Sequence, residues 1–253
     1  MTLFALRRPR LAPLIAALAW PMFLSLPFIL AHAQEAAMST ITYPDTRRTD
    51  DADVLFGKRI ADPYRWLEND VRHDQAVADW VQAQNALTTR YLDTLPGRAV
   101  FRQRLDALYD HERIGAPHKR GGRYFYTRNP GLQNQAVLHV RDGLNAPERT
   151  LIDPNNWSAD GATALAEWAV SEDGQRLAYA VQDGGTDWRT IKVLDVDTGK
   201  ILADEVKWAR FTQISWKHDG SGFFYSRYPE PQDKQAFQAG VSNHAETSHA
   251  LER

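Results

Sequence analysis

The serines, histidines and carboxylates of the chain are the groups that could carry hydrolytic chemistry, and their spacing does not complete a catalytic site. An α/β-hydrolase holds its nucleophile in Gly-x-Ser-x-Gly, a sharp turn that lifts the serine beside backbone oxyanion donors. The chain has no such string, and its nearest approach is Gly240-Val-Ser-Asn-His244. This string lacks the second glycine and a preceding strand, so we interpret it as solvated tail. The sequence therefore predicts no catalytic residue in this chain.

Metal and cofactor motifs are also incomplete. Asp195-Val-Asp-Thr-Gly199 resembles the start of a calcium loop but lacks the third ligand and the later glutamate. We interpret it as a turn at the end of a strand. The histidines at 111, 244 and 249 do not have zinc-site spacing. Gly184-Gly185 follows a strand but opens no helix, unlike a nucleotide-binding loop. We predict neither a metal nor a cofactor.

The composition excludes further classes of site. The formal net charge of the 253 residues is −2, which gives no electrostatic basis for binding nucleic acid. Cysteine is absent, which excludes disulfides, thiolate metal ligands and a cysteine nucleophile. Four of the tryptophans, at 168, 188, 208 and 216, fall within or beside predicted strands, where large rings suit a half-buried sheet surface. We interpret them as sheet packing rather than as a ligand cage.

A repeated strand-turn-strand pattern carries the fold prediction. Residues 168–181 and 214–227 each join two apolar strands through Asp-Gly, and a degenerate copy surrounds Gly121. The offsets between Gly121, Gly174 and Gly220 are 53 and 46 residues, as expected for four-stranded propeller blades. Short strands are predicted throughout residues 123–230, the last two at 211–216 and 223–227. The fold class is therefore mainly β, a partial β-propeller of two to three blades.

The N-terminus is typical of an export signal. Arg7, Arg8 and Arg10 precede an apolar run, and Ala31-His-Ala33 then offers small residues for cleavage. We predict a signal peptide at residues 1–33 and a periplasmic or secreted mature chain. An uncleaved signal that anchors the chain to the membrane is the alternative.

Residues 34–110 are predicted to form a helical segment. Two apolar stripes at three- and four-residue spacing predict helices on either side of Pro96-Gly97, and we assign both stripes to core packing. The stripes consist of Val77, Trp80, Val81, Leu87, Tyr91 and Leu95 in the first helix and Phe101, Leu105 and Leu108 in the second. Residues 111–122 read as a linker, and residues 231–253 as a tail without regular structure.

Several strings, taken together and in order, resemble the prolyl oligopeptidases, serine peptidases that cut small peptides after proline. The first is Asp62-Pro-Tyr-Arg-Trp-Leu-Glu68. The others are Asn129-Pro-Gly-Leu-Gln-Asn-Gln135, Leu151-Ile-Asp-Pro-Asn155, Ser171-Glu-Asp-Gly174, Asp187-Trp-Arg-Thr-Ile191 and Gly222-Phe-Phe-Tyr-Ser-Arg-Tyr-Pro229. The resemblance covers residues 42–230. It departs from the family at Phe56, where the family often has histidine, and in the tail after Phe237.

The resemblance implies an architecture larger than this chain. In the family, N-terminal helices pack on a C-terminal α/β-hydrolase domain that carries the Ser-Asp-His triad, and a seven-bladed propeller covers the active site. Seven blades alone need about 350 residues, so we expect the chain to be the front third of such an enzyme. We expect residues 34–110 to pack on the absent hydrolase domain, the substrates to be proline-containing oligopeptides, and the chain alone to be inactive. A non-catalytic, propeller-like binding module is the alternative.

The resemblance also implies two substrate-binding positions. Phe211 matches a family aromatic residue on the propeller that borders the substrate pocket. Asp187 matches an acidic residue near the same opening. From the residues alone, core packing for Phe211 and an exposed turn for Asp187 remain equally open.

Overall fold

The N-terminal part begins with a hairpin and continues into helices. In the computed structural model, residues 41–184, 186–231 and 245–251 are described. Strands β1 (Ala52–Leu55) and β2 (Lys58–Ala61) form a two-stranded sheet, and a 3₁₀ helix follows at Arg65–Glu68. Helices α1 (Gln75–Asp93) and α2 (Arg98–Tyr109) come next. The predicted signal peptide and the Gly240–His244 string lie outside the described residues.

The two predicted helices form, and local chemistry sets their ends. The Asp74 carboxylate caps α1 by accepting hydrogen bonds from the backbone N–H groups of residues 76 and 77. Gly97, with φ +85°, makes the left-handed turn into α2. Among the described residues, no helix combines the length and the hydrophobicity that crossing a bilayer requires.

The apolar stripes of the two helices are buried to different extents. Val77 of α1 is buried, and Trp80 donates from its indole Nε1 to the Thr46 hydroxyl over 2.9 Å. Tyr91 and Leu95 of the same stripe are, in contrast, 46% and 39% exposed. No residue of α2 is buried, and Phe101 is 72% exposed. The assignment of the α2 stripe to core packing is therefore wrong for this chain, because no described element covers that face.

The first sheet contains five strands. They are β3 (Arg113–Ile114), β4 (His118–Arg120), β5 (Arg123–Asn129), β6 (Val137–Arg141) and β7 (Glu148–Ile152), and every pairing is antiparallel. The first two lie inside the predicted linker at residues 111–122. Glycine and proline break this stretch into strands of two and three residues, which are too short to show an alternating pattern.

The second sheet continues into a third repeat. Strands β8 (Ala164–Val170), β9 (Arg176–Gln182), β10 (Arg189–Asp195) and β11 (Ile201–Ala209) form a four-stranded antiparallel meander. Strands β12 (Ser215–Trp216), β13 (Gly222–Arg227) and β14 (Ala245–Ala250) form the third repeat. The third repeat joins the second sheet through the pair Ala209↔Arg227. The described chain thus holds two blades and three strands of another, which confirms the predicted partial propeller.

Apolar side chains pack between successive repeats. One cluster joins Phe125 and Leu138 of the first blade to Leu177 and Tyr179 of the second. The other cluster joins the second blade to Phe223 of the third repeat. Strand β9 contributes to both clusters, because successive side chains point to opposite faces of a strand. The sheets therefore stack face to face.

Strand β14 corrects the prediction that residues 231–253 lack regular structure. Its inward-facing residues are Thr247 and His249, so it shows no apolar alternation in the sequence. The His249 ring instead lies 2.8 Å from a carboxylate oxygen of Asp204, which is buried in β11. A partner that is distant in the sequence thus stabilises a strand whose own pattern does not predict it.

The two Asp-Gly turns, at residues 173–174 and 219–220, have the same hydrogen-bond arrangement. Ser171 N–H donates to the carbonyl of Arg176, and Lys217 N–H donates to that of Gly222, so each Asp-Gly lies in a loop longer than a two-residue hairpin. At the predicted strand-end turn, the Asp195 carboxylate accepts from both the amide N–H (2.9 Å) and the hydroxyl (2.8 Å) of Thr198. The interpretation of residues 195–199 as a turn at the end of a strand is therefore confirmed.

Removing the Asp195 charge should flatten part of the dependence of stability on pH. The hydrogen bonds from Thr198, first from its amide and then from its hydroxyl, hold the pKa of Asp195 below its ordinary value. A native pKa below the unfolded one stabilises the fold above about pH 4 and loses that effect as the pH falls through the native pKa. In urea unfolding, we expect Asp195→Asn to be less stable than the unsubstituted chain at pH 7, with the difference shrinking at pH 3. An equal loss at both pH values would contradict the ionic contribution.

Candidate functional site

The two residues predicted to contact substrate lie at the same end of the second blade. Asp187 is in the loop between β9 and β10, and Phe211 follows the end of β11. Arg189 pairs with Gln182 on one side and with Ala209 on the other, so both loops leave the sheet at this end. The structure therefore brings together two positions that are 24 residues apart in the sequence.

Arg210 connects these two residues. Its Nη2 lies 3.4 Å from Oδ2 of Asp187, and its Cζ lies 4.8 Å from the centroid of the Phe211 ring. The same Cζ lies 5.0 Å from the centroid of the Trp188 ring. The guanidinium therefore contacts two aromatic rings and a carboxylate.

Further contacts join Trp188, Trp208 and Tyr228. Trp188 meets Trp208 edge to face, with ring centroids 5.5 Å apart, and meets Tyr228 at 6.3 Å. Tyr228 N–H also donates to the carbonyl of Trp208 over 3.1 Å. These offset geometries are the favourable ones for aromatic pairs. We name the set Asp187, Trp188, Trp208, Arg210, Phe211 and Tyr228 the blade-end cluster.

The backbone presents Phe211 outward in an unfavourable conformation. Phe211 has φ +48° and is 57% exposed. A bulky residue in the left-handed region costs about 1–2 kcal/mol. This conformation ends β11 at Ala209, so only Ser215–Trp216 of the strand predicted at 211–216 forms. Core packing of Phe211, which the sequence left open, is therefore not observed.

Buried neighbours hold the strained residue in place. Thr212 is buried, and its hydroxyl accepts from Ser226 N–H over 2.6 Å. Its carbonyl accepts from Nη1 of Arg189 over 3.1 Å. Ala209 and Ile214 on either side are buried as well. Since strain of this kind persists only where the surroundings fix it, the exposed ring is a candidate for function.

Two grooves flank the cluster. One, of about 990 Å³, extends from Phe211 along the open face of the third repeat past Ser215, Phe224 and Ser226. The other, of about 280 Å³, is lined by Trp188, Trp208 and Arg72 of the N-terminal segment. Residues of the blade-end cluster therefore line both grooves.

The N-terminal segment reaches the same end of the blade through Arg72. Its guanidinium contacts the carboxylates of Asp70 and Asp183. The hydrogen bond from Arg72 is the largest cause that lowers the pKa of Asp70, while the same contact raises the pKa of Arg72. These charges connect the segment before α1 to the loop that carries Asp187.

The blade-end cluster combines aromatic, acidic and basic side chains. It offers an exposed ring, a carboxylate and a cation, and it contains no serine, cysteine or histidine. Among the described residues, no group of three His, Cys, Asp or Glu side chains could hold a metal ion.

Sequence reasoning did not identify Arg210 or Trp188 as part of the site. Arg210 precedes Phe211 in the sequence and Trp188 follows Asp187, and this adjacency was the only available signal. Of the four tryptophans assigned to sheet packing, Trp168 and Trp216 pack against the two apolar clusters as predicted. Trp188 and Trp208 instead form the base of the blade-end cluster.

Comparison with known proteins identifies the family. A sequence model of the N-terminal β-propeller domain of prolyl oligopeptidase matches residues 44–253. The chain belongs to the prolyl oligopeptidase family. The match runs through residue 253, so the apparent departure of the tail after Phe237 does not mark the end of the family's domain.

Curated relatives match over most of this chain but over a minor part of their own length. The prolyl endopeptidase of Elizabethkingia miricola is 34% identical over 224 residues, 88% of this chain and 31% of the relative. The dual function macrocyclase-peptidase of Amanita bisporigera is 33% identical over 74% of this chain and 29% of its own length. The chain therefore spans about a third of the length of the curated relatives that it matches.

Solved structures of prolyl oligopeptidases share the fold. A prolyl endopeptidase from a study of inter-domain dynamics superposes with a TM-score of 0.69 at 33% identity, covering 84% of this chain and 31% of that one. Galerina marginata prolyl oligopeptidase B, bound to a 25mer macrocyclization substrate, gives a TM-score of 0.64 at 30% identity. It covers 83% of this chain and 32% of the other.

Proposed function

We propose that this chain supplies the helical segment and the first propeller blades of an exported prolyl oligopeptidase, a serine-type endopeptidase that cleaves short peptides after proline. The family match over residues 44–253 carries this proposal. The blade-end cluster, which joins both predicted substrate positions through Arg210, supports it. In this function the propeller controls access of peptides to the catalytic domain.

Within this function, Phe211 and Asp187 line the propeller side of the substrate opening. An exposed ring in a strained, fixed conformation suits contact with an apolar side chain or a proline ring of a peptide. Asp187 lies within reach of a cationic group on a bound peptide while it orients Arg210. Both positions bind, and neither takes part in the chemical step.

The exposed face of α2 is the proposed contact with the catalytic α/β-hydrolase domain. Phe101, Leu105 and Leu108 lie at helical spacing, and all three are exposed. An apolar stripe of this kind is stable in water only when another surface covers it. Because the chain spans about a third of its relatives, the remainder of such an enzyme is the proposed partner.

The proposed function predicts no peptidase activity for residues 1–253 alone. No Gly-x-Ser-x-Gly string occurs in the chain, and a nucleophile needs a base and oxyanion donors at hydrogen-bond distance. For export, we propose that the N-terminal signal is cleaved and that the mature enzyme is periplasmic or secreted.

Phe211→Ala should weaken the binding of proline peptides in a complete enzyme. The test enzyme joins this chain to the rest of the Elizabethkingia miricola relative and cleaves a chromogenic Gly-Pro peptide. We expect KM to rise about 5- to 10-fold with little change in kcat, because the ring contributes binding energy and not chemistry.

Ile201→Ala is the control, because Ile201 is 54% exposed and lies at the end of β11 opposite to Phe211, outside residues 34–110. It should leave both constants unchanged. An unchanged KM for Phe211→Ala would remove Phe211 from the pocket. Release of the chromophore by the unextended chain, if abolished by a serine-directed phosphonate, would overturn the assignment of catalysis to a further domain.

A further inference from the structure

Arg210 occupies a position that its charge alone does not explain. Its side chain is 15% exposed, although it stands at the open end of a sheet where a cation could extend into water. The guanidinium instead lies over the rings of both Trp188 and Phe211, with its Cζ at 5.0 Å and 4.8 Å from their centroids. Planar guanidinium groups stack favourably on aromatic faces.

The three groups differ in how firmly they are held. Trp188 is fixed by edge-to-face contacts with Trp208 and Tyr228. Phe211, in contrast, is 57% exposed. Arg210 therefore joins a fixed ring to an exposed one, and Asp187 restrains the guanidinium from the side.

The neighbours of Phe211 act on its main chain. Buried Ala209 and Thr212 fix the main chain at φ +48°. Without a stacked partner, an exposed ring exchanges among its staggered rotamers. The Arg210 guanidinium, with its Cζ 4.8 Å from the centroid of the Phe211 ring, is a contact that can limit this exchange.

We infer that Arg210 is a positioning residue that holds the Phe211 ring in place for substrate, stacked on both Phe211 and Trp188 and oriented by Asp187. This inference rests on the proposed function of Phe211. Arg210 acts through the ring and does not itself contact the peptide. Through the contacts of Arg210 with Trp188 and Phe211, the ordered sheet thus restrains a ring at the edge of the proposed substrate opening.

The test uses the same complete enzyme and a set of Arg210 variants. We expect Arg210→Ala to raise KM for the Gly-Pro peptide about 3- to 10-fold with kcat nearly unchanged, as a lost restraint on a binding group predicts. Arg210→Lys keeps the charge beside Asp187 but loses the planar group, so it should recover a minor part of the loss. Arg210→Ala in the Phe211→Ala background should cause no further change, because the ring it holds is absent.

Arg120→Ala is the matched control, since Arg120 is an exposed arginine in β4 of the first blade, outside the blade-end cluster. It should leave KM unchanged. Additive effects of the Arg210 and Phe211 substitutions, or full recovery by Arg210→Lys, would overturn the positioning role while leaving Phe211 in the pocket.

Crystal structures of the complete enzyme with and without Arg210→Ala separate this inference from the proposed function. We expect the Phe211 ring to be well ordered with Arg210 present and spread over several rotamers without it. A ring that keeps one conformation in the Arg210→Ala enzyme would disprove positioning, whatever the kinetics of Phe211→Ala show. If Phe211→Ala leaves KM unchanged but the ring disorders in Arg210→Ala, the substrate role alone fails.

Discussion

Gly121→Ala should prevent the first and second blades from docking and lower the free energy of unfolding by about 4 kcal/mol. The added methyl group would clash with main-chain atoms, which cannot move away by a change of rotamer as a side chain can. A β-carbon at Gly121 would lie 1.8 Å from the carbonyl oxygen of Asp173 and 2.3 Å from its carbonyl carbon. Gly121 also has φ +52°, a region that alanine adopts only with strain.

The close contact at Gly121 is part of a larger connection between turns. Gly121 N–H donates to the carbonyl of Glu172 over 3.0 Å. Arg123 Nη1 donates to the carbonyl of Gly174 over 3.0 Å, and the same guanidinium contacts Asp142 and Asp197. Displacing one turn therefore breaks hydrogen bonds and ion pairs as well as packing, and the loss should be cooperative.

Gly122→Ala is the control that separates the clash from backbone strain. Gly122 has φ +82°, and a β-carbon there would meet nothing within 4 Å. Its substitution should cost only about 1 kcal/mol, the usual penalty for alanine at positive φ. Urea unfolding followed by tryptophan fluorescence measures both variants. Equal losses for the two would mean that strain, and not the contact with residue 173, sets the cost.

Phe223→Ala should destabilise the chain by about 3–5 kcal/mol, the range for removing a large buried aromatic side chain. Phe223 is 0% exposed in the cluster between the second blade and the third repeat. Its ring lies 5.6 Å from that of Trp216, 5.9 Å from that of Tyr225 and 5.4 Å from that of His249. These three neighbours lie in β12, β13 and β14, so the cavity left by the substitution would weaken the packing of all three strands.

Phe224→Ala is a matched control one residue away. Phe224 points to the opposite face of β13 and is 52% exposed. Its substitution should change the free energy of unfolding by less than about 1 kcal/mol. Hydrogen exchange of the β13 and β14 amides should increase in Phe223→Ala and stay the same in Phe224→Ala. Similar exchange in the two variants would show that the third repeat does not depend on this core.

Local chemistry in the sequence determined the repeats and the helix boundaries. Asp-Gly turns flanked by apolar strands recur at blade spacing, and such turns fold the same way in each copy because Gly174 and Gly220 both supply positive φ. Strands β8 and β9 form on either side of the Asp-Gly turn in the repeat at residues 168–181. Pro96-Gly97 separates the two helices as expected.

Long-range contacts decided the features that the sequence did not determine. The pattern of β14 is polar, and the strand forms against a buried Asp204 that lies 45 residues away in the sequence. Whether the apolar stripe of α2 is exposed depends on which other element packs against it. The spacing of apolar residues does not identify that element. Phe211 points outward because Thr212 and Ala209 are buried on either side of it.

The blade-end cluster shows the same difference between what local sequence determines and what long-range contacts decide. The family resemblance placed Asp187 and Phe211 near the same opening, but it did not identify the residue that joins them. Their contact through Arg210 exists because antiparallel strands return the β9–β10 and β11–β12 loops to one end of the sheet. Residue types are local properties of a sequence, whereas their proximity depends on the register of strands, and only the tertiary structure fixes that register.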